Sequence, residues 1–372
     1  MKIALLVAGS RAGTEFFQSM LDGHPQIAQF PGELLLDDKF FYLFTKEPYE
    51  IPKLFVKSYP HFFNSRLNKI ERHDKLGARK NKFFKVSAKK FEKNFHKYLK
   101  KFFQNQKISK IDILKYLHLS YFNNHLNEKK LIVINIHLVE CVKKFIKFFN
   151  YKKFDILHTI RHPYLGIISP TKNWTEYENG KYFLPNSAFF QINLVVNSIK
   201  ELTSAKINTY ILQLEVMHKF HKIFFKDFCK IYKIKYKNKI FEKTTFNQLQ
   251  WWGDEISNKY LTGINKNFQI KLDDRYLPKN EQLFFGKLMQ KYCNYYNYKI
   301  FLNSKTKNIL FFPLKIEIFS WINALKNKRL LPLLSIPFFY IKRLFLINNF
   351  FQKKIKYPYS IGNNKKLLIC NY

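Results

Sequence analysis

Residues 1–27, MKIALLVAGSRAGTEFFQSMLDGHPQI, decide how the rest of the chain is read. Residues 2–7 form a short apolar run, as expected of a strand buried on both faces of a parallel sheet. The run stops at Ala8-Gly9-Ser10-Arg11-Ala12-Gly13-Thr14, and Phe16, Phe17, Met20 and Leu21 then recur at helical spacing until Gly23-His24-Pro25. The order is strand, tight loop, helix. A loop of this form gathers backbone N–H groups at the positive end of a helix, which suits a phosphate, although an ordinary turn has the same outline. No Lys-Ser/Thr pair follows Gly13, so the loop is not a Walker A motif and magnesium-ATP or magnesium-GTP loses support. The apolar run is too short for a signal peptide, and Arg11 stands where a cleavage region would lie.

The same alternation returns downstream. Residues 131–136 (LIVINI) read as a buried strand followed by a helix over 139–149, and 154–160 (FDILHTI) as a strand leading into Arg161-His162-Pro163 and a helix. Residues 209–214 give another strand, and 217–232 a helix with Phe220, Ile223, Phe224 and Phe228 on one face. Strands alternating with helices predict an α/β fold, a mainly parallel sheet flanked by helices, with ligands at the carboxyl ends of the strands. Residues 35–128 show aromatic and Lys-rich helical patterns, such as Phe91, Phe95, Tyr98, Leu99 and Phe102, and no clear strand. They are expected to form a helical insert.

The chain has 372 residues, 47% of them apolar and 18% aromatic, with 11 Gly and 13 Pro, which excludes a disordered or collagen-like protein. Four cysteines, Cys141, Cys229, Cys293 and Cys370, are widely spaced and give neither a disulfide framework nor a zinc motif, and no metal-ligand cluster is found. Lys and Arg number 65 against 26 Asp and Glu, a net charge of +39. Such an excess suits nucleic acid, an acidic polysaccharide or an anionic membrane. It is also what an AT-rich coding sequence accumulates, since 57 of the 65 are Lys and only eight are Arg. Nucleic-acid contacts favour Arg, so no nucleic-acid partner is expected. In this Lys-rich chain, Arg nevertheless stands in both strand-end loops, as Arg11 and Arg161. Planar, bidentate recognition of phosphate explains that choice. Pro163 opens the helix after Arg161, and Ser169 lies eight residues beyond it, where two helical turns can return its hydroxyl toward the same ligand.

Taken together, AGSRAGTEFFQSMLDGHPQI (8–27) and FDILHTIRHPYLGIISPTKNW (154–174) resemble the two nucleotide-binding signatures of the PAPS-dependent sulfotransferases. Those signatures typically read PRSGTT or PKSGTT, and RDPRD…S. LQLEVM (212–217) resembles the family's YEDL segment, and LPKNEQ…MQKYCNYYNY (277–298) its closing helices, so the resemblance spans about residues 1–300. It implies a P-loop NTPase-like sulfotransferase fold and transfer of a sulfuryl group from 3′-phosphoadenosine 5′-phosphosulfate (PAPS), releasing PAP, with no metal. By the match, Ser10, Arg11, Ala12, Gly13, Thr14 and Glu15 take the place of the 5′-phosphosulfate loop, with Arg11 also catalytic, and Arg161 and Ser169 would clamp the 3′-phosphate. Ser10, Ala12 and Glu15 depart from the usual Pro, Ser and second Thr. Ala12 removes a hydroxyl, and Glu15 brings a carboxylate near the phosphates. His162 replaces an acidic or Asn residue. The resemblance offers two catalytic bases: Glu33, similar to the carboxylate after the HP turn of the tyrosylprotein-like branch, and His137, similar to the His of KTHLP in the cytosolic branch, with Asn135 at the Lys position. His24 reads as a turn residue.

The other conspicuous features have plain structural readings beside functional ones. Trp251-Trp252 suits either a core pair or an aromatic platform for adenine or acceptor, and the Lys runs over 79–101 suit either a solvated helix face or a path for an anionic acceptor. From residue 306 the chain is basic and apolar. Lys315, Glu317, Lys342 and Arg343 interrupt its two apolar stretches, so neither reaches the roughly 18 uncharged residues of a membrane span. With Lys326, Lys328, Arg329, Lys353, Lys354 and Lys356 flanking them, the stretches read as interfacial helices on an anionic leaflet or as a helical pair packed on the core or a second subunit. The expected organisation is a sulfotransferase-like domain over 1–305 and an extension over 306–372. The expected place is the cytoplasm, peripheral to the inner face of the plasma membrane, with a carbohydrate, lipid-linked or small-molecule acceptor. An ATP-dependent kinase and a non-catalytic membrane- or polyanion-binding protein on a degenerate sulfotransferase fold remain the alternatives.

Overall fold

The computed structural model describes residues 1–103, 108–122, 128–151, 153–204, 207–257, 259–261, 263–300, 311–351 and 357–362. Lys353, Lys354, Lys356 and Cys370 lie outside the described residues. The chain forms two compact units. The first holds Met1–Val7, Thr14–Leu157 and His221–Ile264, and the second holds Ala8–Gly13, His158–Phe220 and Asn265–Tyr372.

The strands β1 (Lys2–Ala8), β2 (Ile27–Ala28), β3 (Leu131–His137) and β4 (Phe154–Ile160) lie in the order β2-β3-β1-β4, the first unit holding β1 through Val7, β2, β3 and β4 through Leu157. β1 and β2 both run parallel to β3, with Lys2 opposite Leu131 and Ile27 also opposite Leu131. Ile3 to Val7 and Leu131 to Ile134 are buried on both faces, each Val, Leu or Ile side chain among them contributing about 1.5–3 kcal/mol. That two-sided burial is why these strands read as unbroken apolar runs. The helix α1 (Thr14–Leu21) follows, and its Phe17 packs against Phe224, Phe225 and Phe228 of the helix His221–Tyr232. The expected helix over 217–232 is in fact two, Leu214–Lys219 and His221–Tyr232, separated at Phe220. The break resets the apolar face, so Phe225 turns inward and Ile223 is exposed.

Between β2 and β3 the chain forms the helices Asp38–Leu43, Ile51–Ser58, Pro60–Phe63, Ala88–Phe103 and Lys110–Tyr121, with no strand among the described residues between them. Phe91, Phe95 and Leu99 are buried while Lys89, Lys93 and Lys97 are exposed, so that Lys run is a solvated helix face. The tryptophans are structural. Trp251 packs with Leu76, Phe84 and Phe246 and donates to the Glu71 carbonyl, and Trp252 donates to that of Gly77, each at 2.7 Å.

In the second unit β4 is followed in the sheet by β5 (Thr209–Gln213) and then by β8 (Tyr359–Ser360), the latter parallel to β5 with Tyr210 opposite Tyr359. The short antiparallel pair β6 (Thr245–Phe246) and β7 (Leu249–Gln250) lies in the first unit. The carboxyl-terminal segment is not set apart at residue 305. It supplies β8, and its helices Lys315–Lys326 and Ile336–Phe351 pack on the helix Pro185–Ser204 within the same unit. Two of the charges that interrupt its apolar stretches are paired inside the protein. Arg343, wholly buried, donates from Nε and Nη2 to the Glu317 carboxylate at 3.1 and 3.2 Å and from Nη2 to the Phe312 carbonyl at 3.0 Å. Glu317 also accepts the Leu314 N–H at the start of its helix. Removing one partner of such a pair leaves the other charge buried and uncompensated, which costs about 3–5 kcal/mol. Arg343→Met is therefore expected to lower the urea midpoint and the melting temperature markedly; an unchanged melting curve would refute a structural role for the pair.

Candidate active site

At the end of β1 the backbone enters the left-handed region twice in succession, at Ser10 (φ 52°) and Arg11 (φ 48°), and again at Gly13 (φ 81°). For non-glycine residues this costs on the order of 1–3 kcal/mol each, and it persists only where the surroundings enforce it. The second unit supplies that enforcement. Gly9 N–H donates to the Thr159 carbonyl at 2.7 Å, and a Cβ at Gly9 would come within 2.8 Å of that oxygen. The Ser10 hydroxyl donates to the Gly166 carbonyl at 2.6 Å, with the Gln191 amide oxygen 2.8 Å from it. Arg161 Nη1 donates to the Arg11 carbonyl at 3.0 Å. Ala12 is buried, so its methyl faces the interior. Turns of this kind collect N–H groups into an anion-binding concavity.

Arg161, half-buried at the end of β4, keeps a buried Nε without a hydrogen-bond partner among the described residues. Burial lowers its pKa to about 10, against the pull of Glu215, so the guanidinium stays charged at neutral pH. Glu215 is itself fully buried, and burial raises its pKa despite hydrogen bonds from the His162 N–H at 2.9 Å and the Tyr298 hydroxyl at 3.0 Å. His162 opens the helix Pro163–Glu176. Its Nδ1 accepts the Tyr164 N–H at 3.3 Å, and its Nε2 lies 2.6 Å from the Lys299 carbonyl. Burial brings its pKa down to about 4, so the ring is neutral and caps the helix as an Asp or Asn would. Ser169 lies half-buried on the same helix.

The first unit holds the other expected residues. Between Leu6–Asn135 and Val7–His137 the register of β1 on β3 slips by one residue, a bulge at Ile136, and His137 is left-handed at φ 55°. Bulges re-aim the side chains beside them. His137 Nδ1 lies 3.3 Å from Thr14 Oγ1 and 3.7 Å from Glu15 Oε1. The Thr14 hydroxyl donates to Glu15 Oε2 at 2.8 Å, so at the Thr14–His137 contact the ring Nδ1–H is the donor. Asn135 adds an N–H 3.3 Å from Glu15 Oε1 and accepts the His137 backbone N–H. Burial alone would raise the Glu15 carboxyl, but the hydrogen bonds and charge of His137 and the Thr14 hydroxyl hold it well below its ordinary value. Glu33 is the opposite case. Burial raises its pKa to about 6, with His137 opposing and the charge of Glu15 adding to the rise. Environments that push two carboxyls apart in this way separate a permanent anion from a group able to exchange protons near neutrality.

The chain thus brings Thr14, Glu15, Glu33 and His137 together in the first unit, and the Ser10–Gly13 loop with Arg161 in the second, where Ser169 lies on the helix whose Gly166 carbonyl accepts from Ser10. The two groups are consecutive in sequence at Gly13–Thr14. Gln18, Gln191 and Tyr298 were not foreseen. Gln18 is fully buried, donates to the carbonyls of Phe30 and Gly32 at 2.6 and 3.2 Å, and accepts the Gly32 N–H at 3.2 Å, fixing the turn that carries Glu33. Its one trace in the sequence is an amide beside Phe17 on the inner side of α1. No metal-ligand cluster occurs among the described residues.

No family model matches the chain, and no curated protein does. Among solved structures it is similar to the sulfotransferase domain from the Synechococcus PCC 7002 olefin synthase, at 15% identity over 79% of this chain and 94% of that one, with a TM-score of 0.41.

The raised Glu33 pKa has a thermodynamic sign. A group that binds its proton more tightly when folded stabilises the fold below its unfolded pKa, and that contribution is lost as pH rises through the folded value. For Glu33 the window runs from its ordinary 4.5 to about 6. Glu33→Gln should therefore melt higher than the native protein at pH 7 and lose the advantage below about pH 4.5. A constant difference across that range would show that Glu33 titrates normally.

Proposed function

We propose that the protein is a sulfotransferase that moves a sulfuryl group from PAPS to a hydroxyl or amine of an acceptor. The observation that carries this reading is Arg161, a charged guanidinium with one N–H bracing a left-handed loop and another buried without a protein partner. A buried, unpaired donor on a cation fits a phosphate oxygen. The resemblance of the two strand-end motifs to the PAPS signatures turns a phosphate site into a nucleotide site. Arg161 and Ser169 would hold the 3′-phosphate, and Arg11 with Gly13 and Thr14 the 5′-phosphosulfate. When bound, PAPS supplies an activated sulfuryl group and a phosphate leaving group.

The chain's own contribution is electrostatic and protonic. Arg11 and the loop amides offset the negative charge that grows on the departing phosphate. Glu33, with a pKa near 6, is ionised at pH 7 yet basic enough to take the acceptor's proton. The acceptor oxygen forms its bond to sulfur, the sulfur–oxygen bond to the nucleotide breaks, and the proton ends on Glu33. His137 and Glu15 set the charge around it. We assign the acceptor to the carbohydrate or lipid-linked class, in keeping with the apolar carboxyl-terminal segment. The engagement of the Thr14 hydroxyl by Glu15 favours a second reading, in which the nucleotide is bound but not turned over.

Thermal unfolding with PAP tests the site. Ligand at about 100 times its dissociation constant should stabilise the protein by about 2.7 kcal/mol, and Arg161→Ala should abolish the shift. ATP should not reproduce it, and turnover should survive EDTA; magnesium-dependent turnover with ATP would favour the kinase alternative. Glu33→Gln should keep the PAP shift and lose about 10²–10⁴-fold in turnover, and the native enzyme's activity, unlike the variant's residual activity, should fall as pH drops through 6. A PAP shift without turnover selects the second reading, and no shift in folded protein ends both.

A further inference from the structure

The helix Ile336–Phe351 is apolar on two opposite sides. Arg343 and Ile347 are turned inward and wholly buried, whereas Phe338, Ile341 and Phe345, three and four residues apart, are 54, 50 and 64% exposed. The short helix before it, Leu330–Leu334, buries nothing: Leu330, Leu331 and Leu334 are 75, 80 and 77% exposed. Scattered exposed hydrophobics are ordinary, but a continuous stripe of them marks an interaction surface.

Charge says what the surface meets. Lys326 and Lys328, both exposed, and Arg329 immediately precede Leu330. Lys342 is exposed within the stripe, its ammonium 4.2 Å over the Phe338 ring, so its stem covers apolar surface while its charge reaches out. Beyond Glu317 the sequence contains ten Lys or Arg residues and no Asp or Glu. A second copy of the same face would set like charges against one another. Nucleic acid would satisfy the cations but leave the leucines in water. An anionic bilayer satisfies both, its acyl boundary taking Leu330, Leu331 and Leu334 and its head groups the lysines. We propose that this face docks the protein on an anionic membrane surface, without spanning it; no described helix is long and apolar enough to cross a bilayer. The two readings of the segment are compatible, because one side of the helix packs on the protein and the other is left for lipid. This inference stands apart from the nucleotide reading.

Cosedimentation of the full chain with phosphatidylcholine vesicles, with and without phosphatidylserine, tests it. Binding should require phosphatidylserine and fade as salt is raised. Leu331→Glu with Leu334→Glu, and separately Lys326→Glu with Lys328→Glu, should each weaken it by at least about tenfold. All four side chains are exposed, so melting temperatures and any PAP shift should match the native protein. Equal binding to neutral vesicles, native-level binding by the leucine variant, or no vesicle binding by the folded native protein would each overturn the proposal. So would a native dimer that the leucine variant splits while lipid has no effect.

Discussion

The second unit is arranged around a guanidinium kept charged where burial opposes the charge. Arg161 is tolerated there because Glu215 answers it, and Glu215 is tolerated because Arg161, the His162 N–H and the Tyr298 hydroxyl answer it in turn. Each of those partners is tied to another element. His162 starts the helix after β4, and Tyr298 follows the helices Lys279–Leu288 and Gln290–Tyr295 of the same unit. The same guanidinium also accepts the burden of the strained loop, since its Nη1 holds the carbonyl of left-handed Arg11. Withdraw the charge and three things fail together: Glu215 becomes a lone buried carboxylate, the Arg11 carbonyl loses its donor, and the loop loses one of the contacts that offset its strain.

The first unit solves a different problem, that of holding two carboxyls near one imidazole without both being protonated or both fixed as anions. Hydrogen bonds make the difference. Glu15 has Thr14, His137 and Asn135 around it and remains ionised, whereas Glu33 is half-buried and answers mainly to desolvation. Gln18 links the two by holding the turn before Glu33 while its amide oxygen lies 3.4 Å from Asn135. The bulge at Ile136 is the backbone expression of the same arrangement, because it turns His137 out of the strand register at the point where Thr14 begins its helix.

Much of this was legible because it is local. The apolar runs of β1, β3 and β4 are buried on both faces and so announce themselves, and a loop rich in small residues after β1 marks where the chain must turn tightly. Ile27–Ala28 and Tyr359–Ser360 were missed because two residues carry no period, and their pairing is decided by strands far away in sequence. The break at Phe220 was missed because the apolar spacing runs across it. Glu33 and His137 were named, but nothing in the order of residues reveals that one turn held by Gln18 and one bulge bring them under a common field. Charges were the hardest to place. Glu317 and Arg343 look like interruptions of an apolar stretch and are instead its internal pair.

That last case generalises to the chain's use of its eight arginines. Arg72 and Arg343 each donate to a carboxylate and to a backbone carbonyl, Glu255 with Lys259 and Glu317 with Phe312, while Arg161 donates to the Arg11 carbonyl and the charge of Glu215 opposes the cost of its burial. A planar fork with five donors can meet two acceptors in fixed directions, whereas an ammonium is a compact charge that hydrates strongly. The helix lysines, by contrast, sit largely on solvated faces, where the identity of the cation matters little. Arg72 and Arg343 are buried, whereas Arg66, Arg79 and Arg275 are exposed as most of the lysines are. In such a protein the phosphate-facing chemistry should be sought where an arginine still has a donor to spare. Among the described residues, the buried arginine nitrogen left without a hydrogen-bond partner is Arg161 Nε.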